Sequence, residues 1–343
     1  MYRARLEKIL EKKKGKGAMM IGRAFHALIC LSSLLFGGCC IDGGHDDDAP
    51  YTGDDDDDSA MDDDDDSADD DDDTTDSFWT DPMITSGTSF ACHLMSNGFP
   101  RCWPAESSPA DTPYGVGILF KEISAGQSFA CGIQRNDELY CWGTNAMGQS
   151  DHPSGRFTNV TTGHYHGCAL EEEFGTPTCW GCEEEEADFG QCDAPATMLT
   201  DISANRWHTC GITVTGSPIC WGGDSYGQSS PSEDLPPLIQ ISTGWRHTCA
   251  LTENGTPICW GCGEVSHGQC TPPDDSTYDK VVAGGITTCG LKYGSKVVCW
   301  GSDNYGQATP PDIEVFMDIS VGSYHACGMK AGGEVTCWGL YTL

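Results

Sequence analysis

Three observations predict an all-β chain built from repeated hairpin units of the propeller-blade kind. Tryptophans preceded by cysteine fall at 103, 142, 180, 221, 260, 300 and 338, and a steady period near forty residues marks stacked supersecondary units. Between them, short β-prone runs alternate with N-G, T-G and K-Y-G turns, as strands joined by hairpins do. No stretch sustains a helical period. Each unit reads roughly I-S-x-G-x-x-H-T-C-A-L, then six or seven polar residues, then C-W-G-x-x-x-x-G-Q and a Pro-rich link. A unit of this length buries its faces only against its neighbours, as a propeller blade does.

The chain opens with a different composition. Residues 1–41 carry a net charge of +6, with Lys12, Lys13, Lys14, Lys16 and Arg23 ahead of the apolar run Ala24–Phe36. That run is too short for a permanent membrane helix, and small residues follow it, which is the pattern of an export signal over 1–38. The segment "LLFGGCC" resembles the lipobox of bacterial lipoproteins, with Phe36 where the family places Leu. The resemblance implies a lipid anchor on Cys39 and a protein held at the cell envelope, at the outer membrane or cell surface.

Residues 39–77 follow as an Asp-rich stretch. Positions 42–76 contain twenty Asp and no basic residue. Such a segment has too little apolar surface to offset chain entropy, and self-repulsion extends it, so it is expected to be a disordered tether. Fully extended, it reaches on the order of 120 Å. It has none of the Gly-centred, spaced ligands of a calcium loop. Of the total charge of -34, residues 77–343 retain -20. A surface that acidic argues against nucleic acid as a partner.

From residue 78 to 343 the units take over. The stretch "GWRHTCALTENGTPICWG", followed by G-Q, resembles the regulator of chromosome condensation repeat, whose form is G-x-x-H-[ST]-x-A-L…W-G-x-N-x-x-G-Q-L-G. The resemblance extends over about 260 residues and recurs seven times. It implies a seven-bladed β-propeller. The first unit lacks G-Q after Trp103, offering Tyr114-Gly115-Val116 instead. A ring of this family is expected to close by sharing one blade between its two ends, with Ser77–Asp81 or the strand near Met83-Ile84 supplying the missing edge.

Twenty-one cysteines point to an oxidising compartment. Every unit has one in the H-T-C position and one before the Trp: Cys92/Cys102, Cys131/Cys141, Cys168/Cys179, Cys210/Cys220, Cys249/Cys259, Cys289/Cys299 and Cys327/Cys337. Residues so placed on adjacent strands can lie opposite each other at disulfide distance. The third and fifth units add Cys182/Cys192 and Cys262/Cys270 at the two ends of the loop after the Trp. The C-W-G-C spacing of the fifth unit is also that of half a zinc site or a redox dithiol. Five units lack the loop pair, and no helix follows to depress a thiol pKa, so the alignment favours disulfides that staple the propeller.

No catalytic motif emerges, and no cofactor or metal is expected. His166, His208, His247 and His325 share one repeat position, which reads as structural. The two residues before that position vary from unit to unit: Thr88-Ser89, Gln127-Ser128, His164-Tyr165, Arg206-Trp207, Trp245-Arg246, Gly285-Ile286 and Ser323-Tyr324. Tyr, Trp and Arg dominate binding hot spots, so His164, Tyr165, Arg206, Trp207, Trp245, Arg246 and Tyr324 are the expected partner-binding residues. Arg206, Trp207, Trp245 and Arg246 are expected to meet on one rim as a cation–π cluster. These features point to a non-catalytic, surface-tethered binding or scaffold propeller for a protein or glycan. The repeat is shared by a bacterial β-lactamase-inhibitory propeller and by eukaryotic nucleotide-exchange factors, which makes a protein inhibitor the second reading and exchange activity the third.

Overall fold

In the computed structural model, residues 83–104, 113, 117–182, 188–263, 266–273, 277–294, 296–312 and 314–340 are described. The expected signal, Cys39 and the Asp-rich stretch lie outside them. The described residues form seven three-stranded antiparallel sheets, each from three consecutive strands. The fourth unit shows the pattern: an inner strand Leu199–Ala204, a middle strand His208–Thr213 and an outer strand Pro218–Gly222. Inner strands of successive units run side by side, and that of the first unit (Met83–Ser86) meets that of the seventh (Asp318–Val321), closing the ring.

Closure differs from the sequence expectation. No blade is shared. Met83 and Ile84 do supply a strand, but to a first blade continuous in sequence, and the seventh blade is equally continuous. At the junction Ile84 N–H donates to Asp318 Oδ2 at 3.2 Å. Ile84 and Ala91 pack there on Cys327, Met329 and Cys337. Whole blades suffice because every junction uses the same wedge of apolar residues.

The core is accordingly divided into seven wedges, one at each junction. Between the fifth and sixth blades, Cys249 and Leu251 pack on Tyr278, Val281, Ala283 and Trp300. Glycines in the middle strands admit the largest of these side chains: a Cβ at Gly290 would sit 2.3 Å from the Tyr278 ring.

The disulfides belong to the wedges. Middle and outer strands place their cysteines directly opposite, as in Cys210 and Cys220. All seven expected hairpin pairs are bonded. They are Cys92–Cys102, Cys131–Cys141, Cys168–Cys179, Cys210–Cys220, Cys249–Cys259, Cys289–Cys299 and Cys327–Cys337, with Cα atoms 4.0 or 4.1 Å apart. The two ends of each bond differ in environment. The middle-strand cysteines are fully buried, whereas Cys102, Cys141, Cys179, Cys220, Cys259 and Cys299 on the outer strands are only half-buried. Cys337 departs from this and is buried, in the cluster that holds Ile84 and Ala91 of the first blade. The loop pairs Cys182–Cys192 and Cys262–Cys270 are also bonded, which resolves C-W-G-C as the junction of two disulfides. Each bond closes a ring of about ten residues, worth about 3 kcal/mol in the chain-entropy model.

A second repeated device explains Trp and G-Q. The Gln side chain folds its own loop: Gln228 Oε1 accepts from Tyr226 N–H at 2.8 Å. This turns the Gln228 carbonyl toward the next blade, where it accepts from the Trp260 indole at 3.0 Å and the Thr248 hydroxyl at 2.9 Å. The same indole-to-carbonyl bond joins Trp180 to Gln149, Trp221 to Gln191, Trp300 to Gln269 and Trp338 to Gln307. After each Gln the chain must return to the opposite end of the next blade. In the fourth unit it does so through Ser229–Pro237, whose Pro231, Pro236 and Pro237 have no N–H for a ladder. Proline in the return segment suits a propeller with open outer edges, because it cannot extend the sheet.

The first unit has no G-Q, and the indoles of Trp103 and Trp142 have no hydrogen-bond partner among the described residues. Replacing Trp142 with Phe should therefore destabilise less than replacing Trp260 with Phe, by about 1 kcal/mol, because only the second loses an indole hydrogen bond. Urea denaturation of the two variants measures the difference.

Candidate functional site

After each inner strand the chain turns through a Gly (Asn205 in the fourth unit), two variable residues and the residue that starts the middle strand. All seven turns gather at one end of the central channel, around a cavity of about 140 Å³. Hydroxyls line it, including Ser124, Thr162, Ser203 and Thr243, which bond one another between neighbouring inner strands. Successive turns pass very close. A Cβ on Gly163 would lie 2.2 Å from the Asn205 carbonyl and 2.3 Å from the His166 ring, so only Gly fits.

The histidines that start the middle strands are structural bonds between blades. His166, His208 and His247 each place Nε2 at 2.8 or 2.9 Å from a Thr hydroxyl of the following blade, Thr209, Thr248 and Thr288 respectively. Each of those hydroxyls donates onward to a Gln carbonyl, so it accepts from the imidazole, which fixes the proton on Nε2. Where the following blade offers Ala or Gly at the Thr position, Phe90 and Phe129 replace His. His325 instead meets the Phe90 backbone across the closing junction. Burial pushes His208 and His247 to about 3, and His166 and His325 to about 4.

The variable residues meet over the channel mouth. Trp245 sits at the centre, edge to face with His164 from the third blade at 5.8 Å and with Tyr324 from the seventh at 5.6 Å. Tyr165 stands edge-on to His164. His164 Nε2 lies 3.3 Å from the Thr88 hydroxyl, and burial, with the Arg206 charge second, lowers it to about 3. The Arg206 guanidinium lies between two indoles, 4.1 Å from the Trp207 ring centre and 4.8 Å from that of Trp245. Arg246 departs from the expected four-residue cluster. It turns outward and stacks on Tyr226 at 4.5 Å.

Tyr226 belongs to a second row on the same face. The outer strands end beside the turns, as where Gly223 N–H donates to the Trp207 carbonyl. The loops that follow therefore flank the turns. The residue before each G-Q is Met147, Phe189, Tyr226, His267 or Tyr305. Phe189 packs on Trp207, and Tyr305 on Tyr324, with about half of each ring exposed. The signal for this row was present in the sequence as a recurring large residue before Gly-Gln. It is recognisable as a surface only once the loop is known to fold beside the Gly–His turn.

The regulator of chromosome condensation (RCC1) repeat family matches at residues 120–149, 199–228, 238–269 and 318–340, in the second, fourth, fifth and seventh blades. These four stretches match the RCC1 repeat. The other three blades depart from the pattern at visible points: the missing G-Q of the first, the Cys182–Cys192 loop of the third, and Thr287 in place of His in the sixth.

The ring resembles several solved propellers. The ectodomain of the receptor kinase ACR4 from Arabidopsis thaliana is 26% identical, with a TM-score of 0.62, over 76% of this chain and 98% of that one. The ectodomain of the Physcomitrella patens receptor kinase CR4 is 22% identical, with a TM-score of 0.63, over 75% and 72%. Prp20p from Saccharomyces cerevisiae is 15% identical, with a TM-score of 0.54, over 76% and 82%.

The buried imidazoles set a pH dependence. Their folded pKa lies below the unfolded value near 6.5, so the unfolded chain binds more protons between the two. Their stability contribution is complete above pH 6.5 and is lost as pH falls toward 3–4. Phe occupies the same position in two blades, so His208→Phe should fold. Between pH 7 and pH 5 it should lose about 2 kcal/mol less stability than the parent, measured by denaturant unfolding at each pH.

Proposed function

We propose that this protein is a non-catalytic binding propeller whose working surface is the face of the Gly–His turns. The observation that carries the reading is the Trp245-centred cluster. It spends Trp, Tyr and Arg on half-buried turns above strands already held by disulfides and by the Gln–Trp bonds. Large aromatic and arginine side chains with rigid backing and partial exposure are what hot spots of protein interfaces are made of. Nine disulfides belong to an extracellular or otherwise oxidising compartment. Two of the similar propellers are receptor ectodomains, and Prp20p is described with binding to Gsp1p and histones. A protein partner met outside the reducing cytosol fits both lines of support.

In this reading the Asp-rich stretch is a spacer and Cys39 the lipid-bearing anchor. Mass analysis of the mature N-terminus should find acylated Cys39, and an unmodified terminus elsewhere would remove the anchor from the proposal. The docking face is tested with Trp207→Ala and Trp245→Ala. Each should weaken capture of a partner from the envelope and secreted fractions by about 2 kcal/mol, roughly thirtyfold, at nearly constant melting temperature. Lost stability with unchanged capture would make these residues packing, and the docking face would lie elsewhere.

A further inference from the structure

The two arginines of the turn face are held by rings instead of acids. The chain has 52 Asp and Glu against 18 Lys and Arg, so a basic group without an acidic neighbour stands out. Lys121, Arg156, Lys280 and Lys330 all meet carboxylates. Arg206 and Arg246 have no ion pair or side-chain hydrogen bond among the described residues, and Arg206 Nε is buried without a partner. Burying a polar nitrogen unpaired is costly and calls for an explanation. A guanidinium tolerates such a place because it is weakly hydrated and stacks on aromatic faces. Stacking also fixes its plane while leaving its N–H edge unused, and an edge fixed in advance loses little entropy when it takes a bidentate oxyanion.

We infer that Arg206 and Arg246 read the carboxylates of an acidic segment of a protein partner, laid across the channel mouth between the fourth and fifth blades. The inference rests on the docking-face reading above and adds the chemistry of the occupant. The half-exposed rings of Phe189 and Tyr305 on the same face call for apolar side chains beside those acids. Charge decides against a polyphosphate: residues 77–343 carry -20, which repels a ligand charged along its whole length, whereas a short acidic stretch needs to meet only two arginines.

The test uses the full chain and three fluorescent nonapeptides that alternate Tyr with Glu, Gln or Lys, together with octathymidylate, followed by anisotropy. The Tyr-Glu peptide should bind at least tenfold tighter than the Tyr-Gln peptide at low salt, and the margin should shrink as salt rises. Arg206→Gln and Arg246→Gln should each weaken it tenfold or more. Arg206→Lys should weaken it nearly as much, because an ammonium keeps the charge and loses the planar fork. Melting temperatures identify any variant that fails to fold, and Arg246→Gln, outside the indole sandwich, then decides. Equal binding of the Glu and Gln peptides, undiminished Glu binding in the variants, or tighter octathymidylate overturns the inference. Equal binding of all three peptides, lost in Trp245→Ala, would overturn it and leave the docking face standing.

Discussion

The rest of the molecule depends on a main-chain carbonyl. In each complete unit the Gln after Gly folds its loop with its side chain and turns its own carbonyl toward the neighbouring blade, where an indole and often a hydroxyl donate to it. A three-stranded sheet of sixteen or so residues exposes too much apolar surface to stand alone. Joining sheets edge to edge is not available, since Pro-rich returns cover that route. Face-to-face packing remains, and the Gln–Trp bond gives that packing a register. The disulfide of one blade and the Trp of the next then fall into the same wedge.

The turn face follows from this division of labour. Stability resides in the wedges, in the crosslinks between middle and outer strands, and in the neutral imidazoles that hydrogen-bond from blade to blade. The two residues between Gly and the middle strand are left without a structural duty common to all units. They range from Thr88-Ser89 to Arg206-Trp207, whereas the residue before them is Gly in every unit but the fourth, which has Asn205. The third, fifth and seventh blades use this latitude for aromatic groups that meet over the channel, and the fourth for an arginine clasped by two indoles.

Much of this was legible in the sequence because repetition reports on geometry. The period near forty, the cysteine before each Trp and the His-Thr-Cys position indicate strands, partners and register at once. A pair of cysteines ten residues apart across a turn, such as Cys131 and Cys141, has few places to be except opposite each other. What the spacing does not carry is that the middle-strand sulfur of each pair is fully buried while its outer-strand partner, Cys337 excepted, keeps some exposure. The variable turn residues were also visible, as departures from a fixed frame. Arg246 was not. Its neighbour Trp245 points over the channel, and successive turn residues diverge, so the next side chain is sent to Tyr226, a loop residue twenty positions earlier. The closure of the ring was illegible for a different reason. Strand sharing is a habit of such rings, whereas the contacts of Ile84 with the seventh blade are ordinary wedge contacts that no motif announces.

One asymmetry in the ring has a mechanical meaning. The indole-to-carbonyl bond joins the second blade to the third and continues to the seventh, while the indoles of the first and second blades, Trp103 and Trp142, lack it among the described residues. The molecule is thus an arc of six blades joined by five indole-to-carbonyl bonds, with a first blade held in the gap between the two ends by other hydrogen bonds and apolar contacts. Such an object behaves like a bracelet with a clasp. Load or heat spreads evenly along the arc and concentrates at the clasp. The aromatic groups over the channel come from blades on both sides of that gap, with His164 reaching Thr88 of the clasp itself. Opening the first blade would disturb the turn face from its centre while leaving most of the wall intact.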